Sequence, residues 1–320
     1  MKMNKKSRFS SFIGIQHIFF FEVSIGIMAN TVLLLFHVFT FILEHRPKPT
    51  DMTIGHLSLI HVVMLLTSGF IAIDIFGYKD FVNDITCKSV LYLYRLMRGL
   101  SVCTTSHLSV LQTITLSPRS SYLAKFKQNS LNQNLYCFLF LWVFNALISG
   151  PFSNFTVAIS NVTSHSFIFL TQSCSLLPIR SFIKYISLSL MTFQHMSFIG
   201  LMALSSVYMV SLLCRHKRQS QHLYSTSHSP KASAEQRATR TILLLMSFFT
   251  AMYILDCVIE SIPTWLWNHD PVRHCVHMLI GSGYATLSPL VLISTERRMI
   301  KCFVFMWQKH SKCLFKFHDG

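Results

Sequence analysis

The chain has 320 residues, of which 51% are hydrophobic and 12% charged, with a net charge of +16. Soluble domains hold about 25% charged residues, so this balance excludes an ordinary soluble enzyme. The basic excess would suit a nucleic-acid-binding protein, but here Lys and Arg flank long apolar runs and report membrane topology instead.

A helix needs about 20 mostly apolar residues to cross the hydrocarbon core. Seven stretches meet or approach that length: Val23 to Leu43, Met52 to Ile73, Gly99 to Leu116, Leu135 to Phe155, Tyr185 to Cys214, Thr241 to Ile262 and His274 to Thr295. Backbone polar groups cannot stay unpaired in lipid, so runs this long and continuous are helices. With their flanks they predict helices over residues 14–43, 52–76, 86–116, 135–155, 184–214, 239–262 and 274–295. The expectation is an all-α membrane protein, a single seven-helix domain over residues 1–320. The longest gaps, Thr156 to Lys184 and Arg215 to Arg240, are loop-sized and leave no room for a soluble catalytic domain.

Lys5, Lys6 and Arg8 before the first run resemble the start of a signal peptide, yet Phe9 to Leu43 runs on without a cleavage site. With the N-terminus outside and the C-terminus inside, 17 Lys and Arg residues fall on the cytoplasmic side and 9 on the other. The opposite orientation reverses those totals and is disfavoured. Asn30 in the first helix and His61 in the second are mid-depth polar groups suited to packing and to bonds across helices.

The third helix opens at Cys87. Arg95 and Arg98 follow, three residues apart and therefore on one face, with Tyr94 beside them. Between the fourth and fifth helices lie two glycosylation sequons, Asn154-Phe-Thr156 and Asn161-Val-Thr163. Asn161 is the better acceptor, because Asn154 lies close to the membrane. Cys174, in the same loop, falls on the oxidising side with Cys87, where a disulfide between them would persist.

Asp256 and Glu260 share a face of the sixth helix. An intramembrane charge costs about 2.5–3.5 kcal/mol on insertion scales, so two acids opposite Arg95 and Arg98 suggest a small-ligand cavity. An ion-pair staple between the third and sixth helices is the other reading, and the two are compatible. His269, His274, Cys275 and His277 match no standard metal-site spacing. Pro289 removes a hydrogen bond inside the seventh helix and is a candidate hinge. Cys302 and Cys313, just past that helix, form a weak palmitoylation pattern.

No H-E-x-x-H motif is present, and no lysine lies in the seventh run to carry a retinal Schiff base. A ligand-gated channel or transporter is the alternative class, but it predicts repeats that are not visible.

At this point the local sequences become specific. Ser109-Val-Leu-Gln-Thr-Ile-Thr-Leu-Ser-Pro-Arg-Ser-Ser121, followed by Leu123-Ala-Lys-Phe-Lys127, closely resembles the end of the third helix in vomeronasal type-1 receptors. Gly283-Tyr-Ala-Thr-Leu-Ser-Pro-Leu-Val-Leu-Ile293 resembles that family's seventh helix, and Cys87-Lys88 with Arg95, Arg98 and Gly99 its third-helix opening. Pro49-Thr-Asp-Met52 fits as well. Leu116-Ser-Pro118 stands where the large rhodopsin-like family carries Asp-Arg-Tyr, and Ser288-Pro289 stands where that family carries Asn-Pro-x-x-Tyr. His61 departs from the asparagine the vomeronasal family leads one to expect.

The resemblance implies a multi-pass plasma-membrane receptor for pheromone-like small molecules, coupled to an inhibitory-class heterotrimeric G protein. Ligand would sit between the outer halves of helices three, five, six and seven, and favour one of two packings of the bundle. Ser117, Pro118, Arg119, Lys125, Lys127, Arg215 and Arg240 would form a basic cytoplasmic surface for the G protein. Attraction to anionic membrane lipid is a second use of that surface. No cofactor, metal or nucleic acid is expected.

Overall fold

The computed structural model describes residues 5–43, 48–77, 83–118, 131–154, 156–158, 168–169, 174–176, 181–223, 247–255, 258, 271–295 and 299. Its helices are α1 (Lys5–Leu43), α2 (Pro49–Ile75), α3 (Asp84–Leu116), α4 (Leu131–Asn154), α5 (Ser181–Leu223), α6 (described over 247–255) and α7 (Pro271–Thr295). Among the described residues four helical stretches are long and apolar enough to cross a membrane: Ile13–Leu43, Pro49–Ile75, Asn132–Pro151 and Ser189–Leu212. The chain is a helical membrane protein.

The helix ends follow from local chemistry. Pro49 and Pro271 are the first residues of α2 and α7, where a missing N–H costs nothing and φ is already helical. Just past α2, Gly77 takes a φ of 74°, a left-handed conformation that glycine adopts without penalty. Pro118 disfavours the α conformation at the residue before it, so Ser117 turns extended (ψ 138°) and α3 stops.

Two helices overshoot the boundaries that hydropathy sets. α1 begins at Lys5 instead of 14, and α5 runs to Leu223 instead of 214. At 1.5 Å per residue they span about 58 and 64 Å, roughly twice the hydrocarbon core of about 30 Å. Their ends therefore extend beyond the lipid, where charged residues such as Arg215 are tolerated. α4 is shifted slightly, starting at Leu131 instead of 135.

The loop between α4 and α5 carries a small sheet beside the helices. The stretch read as a plain loop contains β1 (Thr156–Ala158), β2 (Ile168–Phe169) and β3 (Cys174–Leu176), an antiparallel sheet in the order β1-β3-β2. Thr156 pairs with Leu176 and Ala158 with Cys174, while Ile168 pairs with Leu176 on the other edge.

α3 is the centre of the bundle. Every residue from Leu96 to Ser106 is buried, so all faces of the helix are covered by protein. This explains why α3, rich in Ser and Thr and holding two arginines, does not qualify as an apolar span: it is screened from lipid by its neighbours. Its hydroxyls return to the helix's own carbonyls, as in Thr105 to Ser101 O (2.8 Å) and Thr113 to Ser109 O (2.9 Å).

α1 meets α2 and α7 closely. A Cβ at Gly26 would clash with Thr286 Oγ1 and meet Leu65 Cδ1 at 2.7 Å, so the small residue sets the approach. Pro289 lies inside α7 and cannot donate to the carbonyl of residue 285, four positions back. Asn30 Nδ2 donates to Ala285 O at 2.8 Å in its place, and also to Gly26 O at 2.8 Å.

Candidate functional site

A disulfide joins Cys87, in the first turn of α3, to Cys174 in β3, with Cα atoms 5.9 Å apart. Both cysteines are fully buried, with Leu91 packed against them. The bridge holds the sheet at one end of the bundle, and inward distance can be measured from it along α3. Arg95 and Arg98 lie eight and eleven residues further, about 12 and 17 Å at the helical rise.

The two arginines differ in setting. Arg98 is 3% exposed, inside the helical core. Arg95 is half-buried and donates from Nη2 to Met191 Sδ of α5 at 2.6 Å. It lines a recess shared with Gly99 on the same helix, Asn145, Ile148 and Ser149 of α4, and Met191, Gln194 and His195 of α5. Tyr94 packs at the margin of the core beside it.

The floor of this recess is fixed by side-chain amides. Gln194 Nε2 donates to Asn145 Oδ1 at 2.6 Å, and Asn145 Nδ2 donates to Leu141 O at 2.8 Å and lies 3.4 Å from Cys103 Sγ. Gly99 makes room for them, since a Cβ there would clash with Asn145 Oδ1. Polar groups in a low-dielectric interior are costly unless satisfied, so this amide pair locks α4 to α5 across α3. The result is a narrow, water-sized recess with a cationic group at its rim, walled by α3, α4 and α5.

A second polar cluster lies deeper. His61 of α2 bonds through Nε2 to Ser101 Oγ of α3 at 2.7 Å, and its Nδ1 lies 3.4 Å from Ser288 Oγ of α7. Ser101 Oγ also meets the hydroxyl of Tyr253 in α6 at 3.1 Å. The Tyr253 and Tyr284 rings contact each other with centroids 4.6 Å apart, and Tyr284 donates to Met64 Sδ at 3.2 Å.

Among the residues expected to form a ligand cavity, the structure describes Tyr94, Arg95 and Arg98; Asp256 and Glu260 lie outside the described residues. The expected cavity faced helices three, five, six and seven, whereas the recess at Arg95 faces α3, α4 and α5. Asn145, Gln194 and His195 were not anticipated, because uncharged amides and a lone histidine inside apolar runs look like ordinary packing. Glu22 and Asp74 were missed too, lying one residue outside the apolar windows. Asp74 is fully buried, and Ser282 Oγ of α7 lies 3.1 Å from Glu22 Oε1.

At the opposite end of the bundle, Ser117 and Pro118 close α3 and Arg215 is exposed on α5. Arg119, Lys125, Lys127 and Arg240 lie outside the described residues, as do Asn161, Cys302, Cys313, His269 and the side chains of His274, Cys275 and His277. Asn154 is the last residue of α4. Among the described residues no group of three or more His, Cys, Asp or Glu side chains could hold a metal ion.

Residues 13–305 match the model of the vomeronasal organ pheromone receptor family. The chain is 53% identical over 295 residues to vomeronasal type-1 receptor 90 of Rattus norvegicus, covering 91% of this chain and 95% of that protein. It is 48% identical to vomeronasal type-1 receptors 45 and A11 of Mus musculus, each over 298 residues and 93% of both chains.

Proposed function

The chain belongs to the vomeronasal organ pheromone receptor family, and from that premise we propose that it binds small pheromone-like molecules and activates a heterotrimeric G protein of the inhibitory class. It is a multi-pass membrane receptor. The observation that carries the ligand reading is the pair of arginines on α3, with Arg95 lining the recess and Arg98 buried in the core of a membrane-spanning bundle. Charged groups at such depth are costly and mark binding sites. Arg95, Arg98 and Tyr94 then form the α3 side of the ligand site, with Asp256 and Glu260 of the sixth helix as their acidic counterparts.

The charge distribution supports an N-terminus outside and a C-terminus inside. In that orientation the disulfide and the sheet are extracellular, Asn161 is the accessible glycan acceptor, and Ser117, Pro118, Arg119, Lys125, Lys127, Arg215 and Arg240 face the G protein. Ligand acts by differential affinity for two packings of the bundle, with Pro289 as a hinge in α7. No catalytic role is proposed.

The test is a ligand-response screen in cells expressing the receptor with reporter G proteins of several classes. A dose-dependent signal restricted to the inhibitory class is expected. A ligand-gated current that persists without any G protein would make the chain a channel instead.

A further inference from the structure

Glu22 is an acid inside the first membrane span, nine residues past Ile13, or about 14 Å along the helix. Among the described residues no Lys, Arg or His side chain pairs with it, and the group at its carboxylate is Ser282 Oγ of α7, 3.1 Å from Oε1. That hydroxyl has a single proton, and the carbonyl of Met278, at 2.7 Å, lies closer to it. Glu22 therefore keeps most of its acceptor sites, and its charge has no counterpart. An ionisable group at such depth is expensive and marks a functional site.

The surroundings define what could match it. The backbone of α1 is pinned here, because Thr286 Oγ1 donates to Glu22 O at 3.4 Å. Gly283, buried on α7, leaves a gap beside the carboxylate: a Cβ there would lie 3.7 Å from Glu22 Oε1 and 3.3 Å from Met252 Cε of α6. The gap is about the size of a methyl group, and an ammonium head is no larger. Phe20, two residues before Glu22, meets the ring of Phe76 just past α2, with centroids 5.7 Å apart. The carboxylate thus lies in the half of the bundle that carries the disulfide. A divalent metal ion takes six or more oxygens, and Glu22 with Ser282 offers too few.

We propose that Glu22, Ser282 and the gap at Gly283 form a second binding site, between α1, α6 and α7, for the ammonium group of a small organic amine. The N–H groups would donate to the carboxylate and to Ser282 Oγ, and the positive charge would match that of Glu22. The site names a ligand class for the receptor reading and rests on that reading for its physiological meaning, but binding is measured without a G protein.

The experiment uses the full chain in phosphatidylcholine nanodiscs at fixed ionic strength. The probes are n-butylammonium and 2-phenylethylammonium, each compared with the alcohol of the same shape, 1-butanol and 2-phenylethanol. Thermal unfolding is followed as each is titrated. At about ten times its Kd, an ammonium probe should raise Tm by about 2–4 °C, and its alcohol should not. Glu22→Gln keeps a partner for Ser282 but removes the charge, and should lose the rise. Gly283→Ala puts a methyl group where the ammonium head would sit, and should lose it too.

Alcohols that stabilise as well as the ammonium probes would overturn the proposal, since the site would then be reading a hydrogen bond and no charge. So would the absence of a rise in wild type, or an equal rise in Glu22→Gln. If Glu22→Gln does not fold, Gly283→Ala and the comparison of ammonium with alcohol decide. Glu22-dependent binding with no G-protein response leaves the site standing and counts against the receptor reading. A G-protein response to other compounds, with no Glu22-dependent binding of the probes, does the reverse.

Discussion

Asn30 of α1 supplies the hydrogen bond that Pro289 of α7 cannot, donating at 2.8 Å to the carbonyl of Ala285. The residues are tied to one another through a backbone group belonging to neither. Asn30→Leu should therefore destabilise the receptor by about 0.6–1.7 kcal/mol, the range for bonds between membrane helices. Pro289→Ala restores a donor to Ala285, so the double variant should cost less than the sum of the two single ones. Thermal unfolding of purified protein reads all three, and strict additivity would show that the bond does no compensating.

Breaking the Cys87 to Cys174 bridge, which closes a sequence separation of 87 residues, should cost about 2–4 kcal/mol. Cys87→Ser and Cys174→Ser should each lower surface delivery, and the double variant should be no worse than either. Surface immunostaining of tagged receptor measures this; wild-type delivery in the single variants would remove the bridge from the account of stability.

Gly99→Ala should destabilise by about 1–3 kcal/mol, the usual cost of overpacking a filled core, because the added methyl displaces Asn145. Gly150→Ala meets open space and should be neutral or slightly stabilising. The comparison is again thermal, with equal behaviour of the two variants as the contrary result.

Arg98→Ala, Asp256→Ala and Glu260→Ala should each weaken agonist potency when normalised to surface expression. An ion pair between helices predicts that an Arg98 and acid double variant loses less than the two singles together. Additive losses would leave ligand contact but exclude the pair, and unchanged potency in every single variant would exclude both roles.

Sidedness has its own measurement. Glycosidase should shift the mobility of wild type much more than that of Asn161→Gln, and an epitope after Arg297 should stain only in permeabilised cells. Staining of intact cells would reverse the assigned topology.

Much of the architecture was legible because lipid imposes one demand along the whole chain: about 20 apolar residues per crossing, all helical. What escaped lies where that demand is relaxed. The ends of α1 and α5 stand beyond the hydrocarbon, so hydropathy stops before the helix does. The sheet at Cys174 uses strands of two and three residues, too short for alternation to register. Within the site, Arg95 and Arg98 announced themselves by charge, and Cys87 and Cys174 by shared placement. Asn145 and Gln194 did not, since their meaning depends on which faces of α4 and α5 turn toward Gly99, and spacing within either helix alone does not reveal that.

The disulfide reaches the sheet through its central strand. β1 and β2 each pair with β3 and not with one another, so both edges hang from the strand that carries Cys174. The bridge therefore braces all three strands, and its reduction would leave the sheet held to α3 by the packing of β1 and joined through the backbone to α4 and α5. A reductant that reaches the bridge thus acts on the sheet as a unit, while among the described residues the helices are joined by packing and side-chain hydrogen bonds.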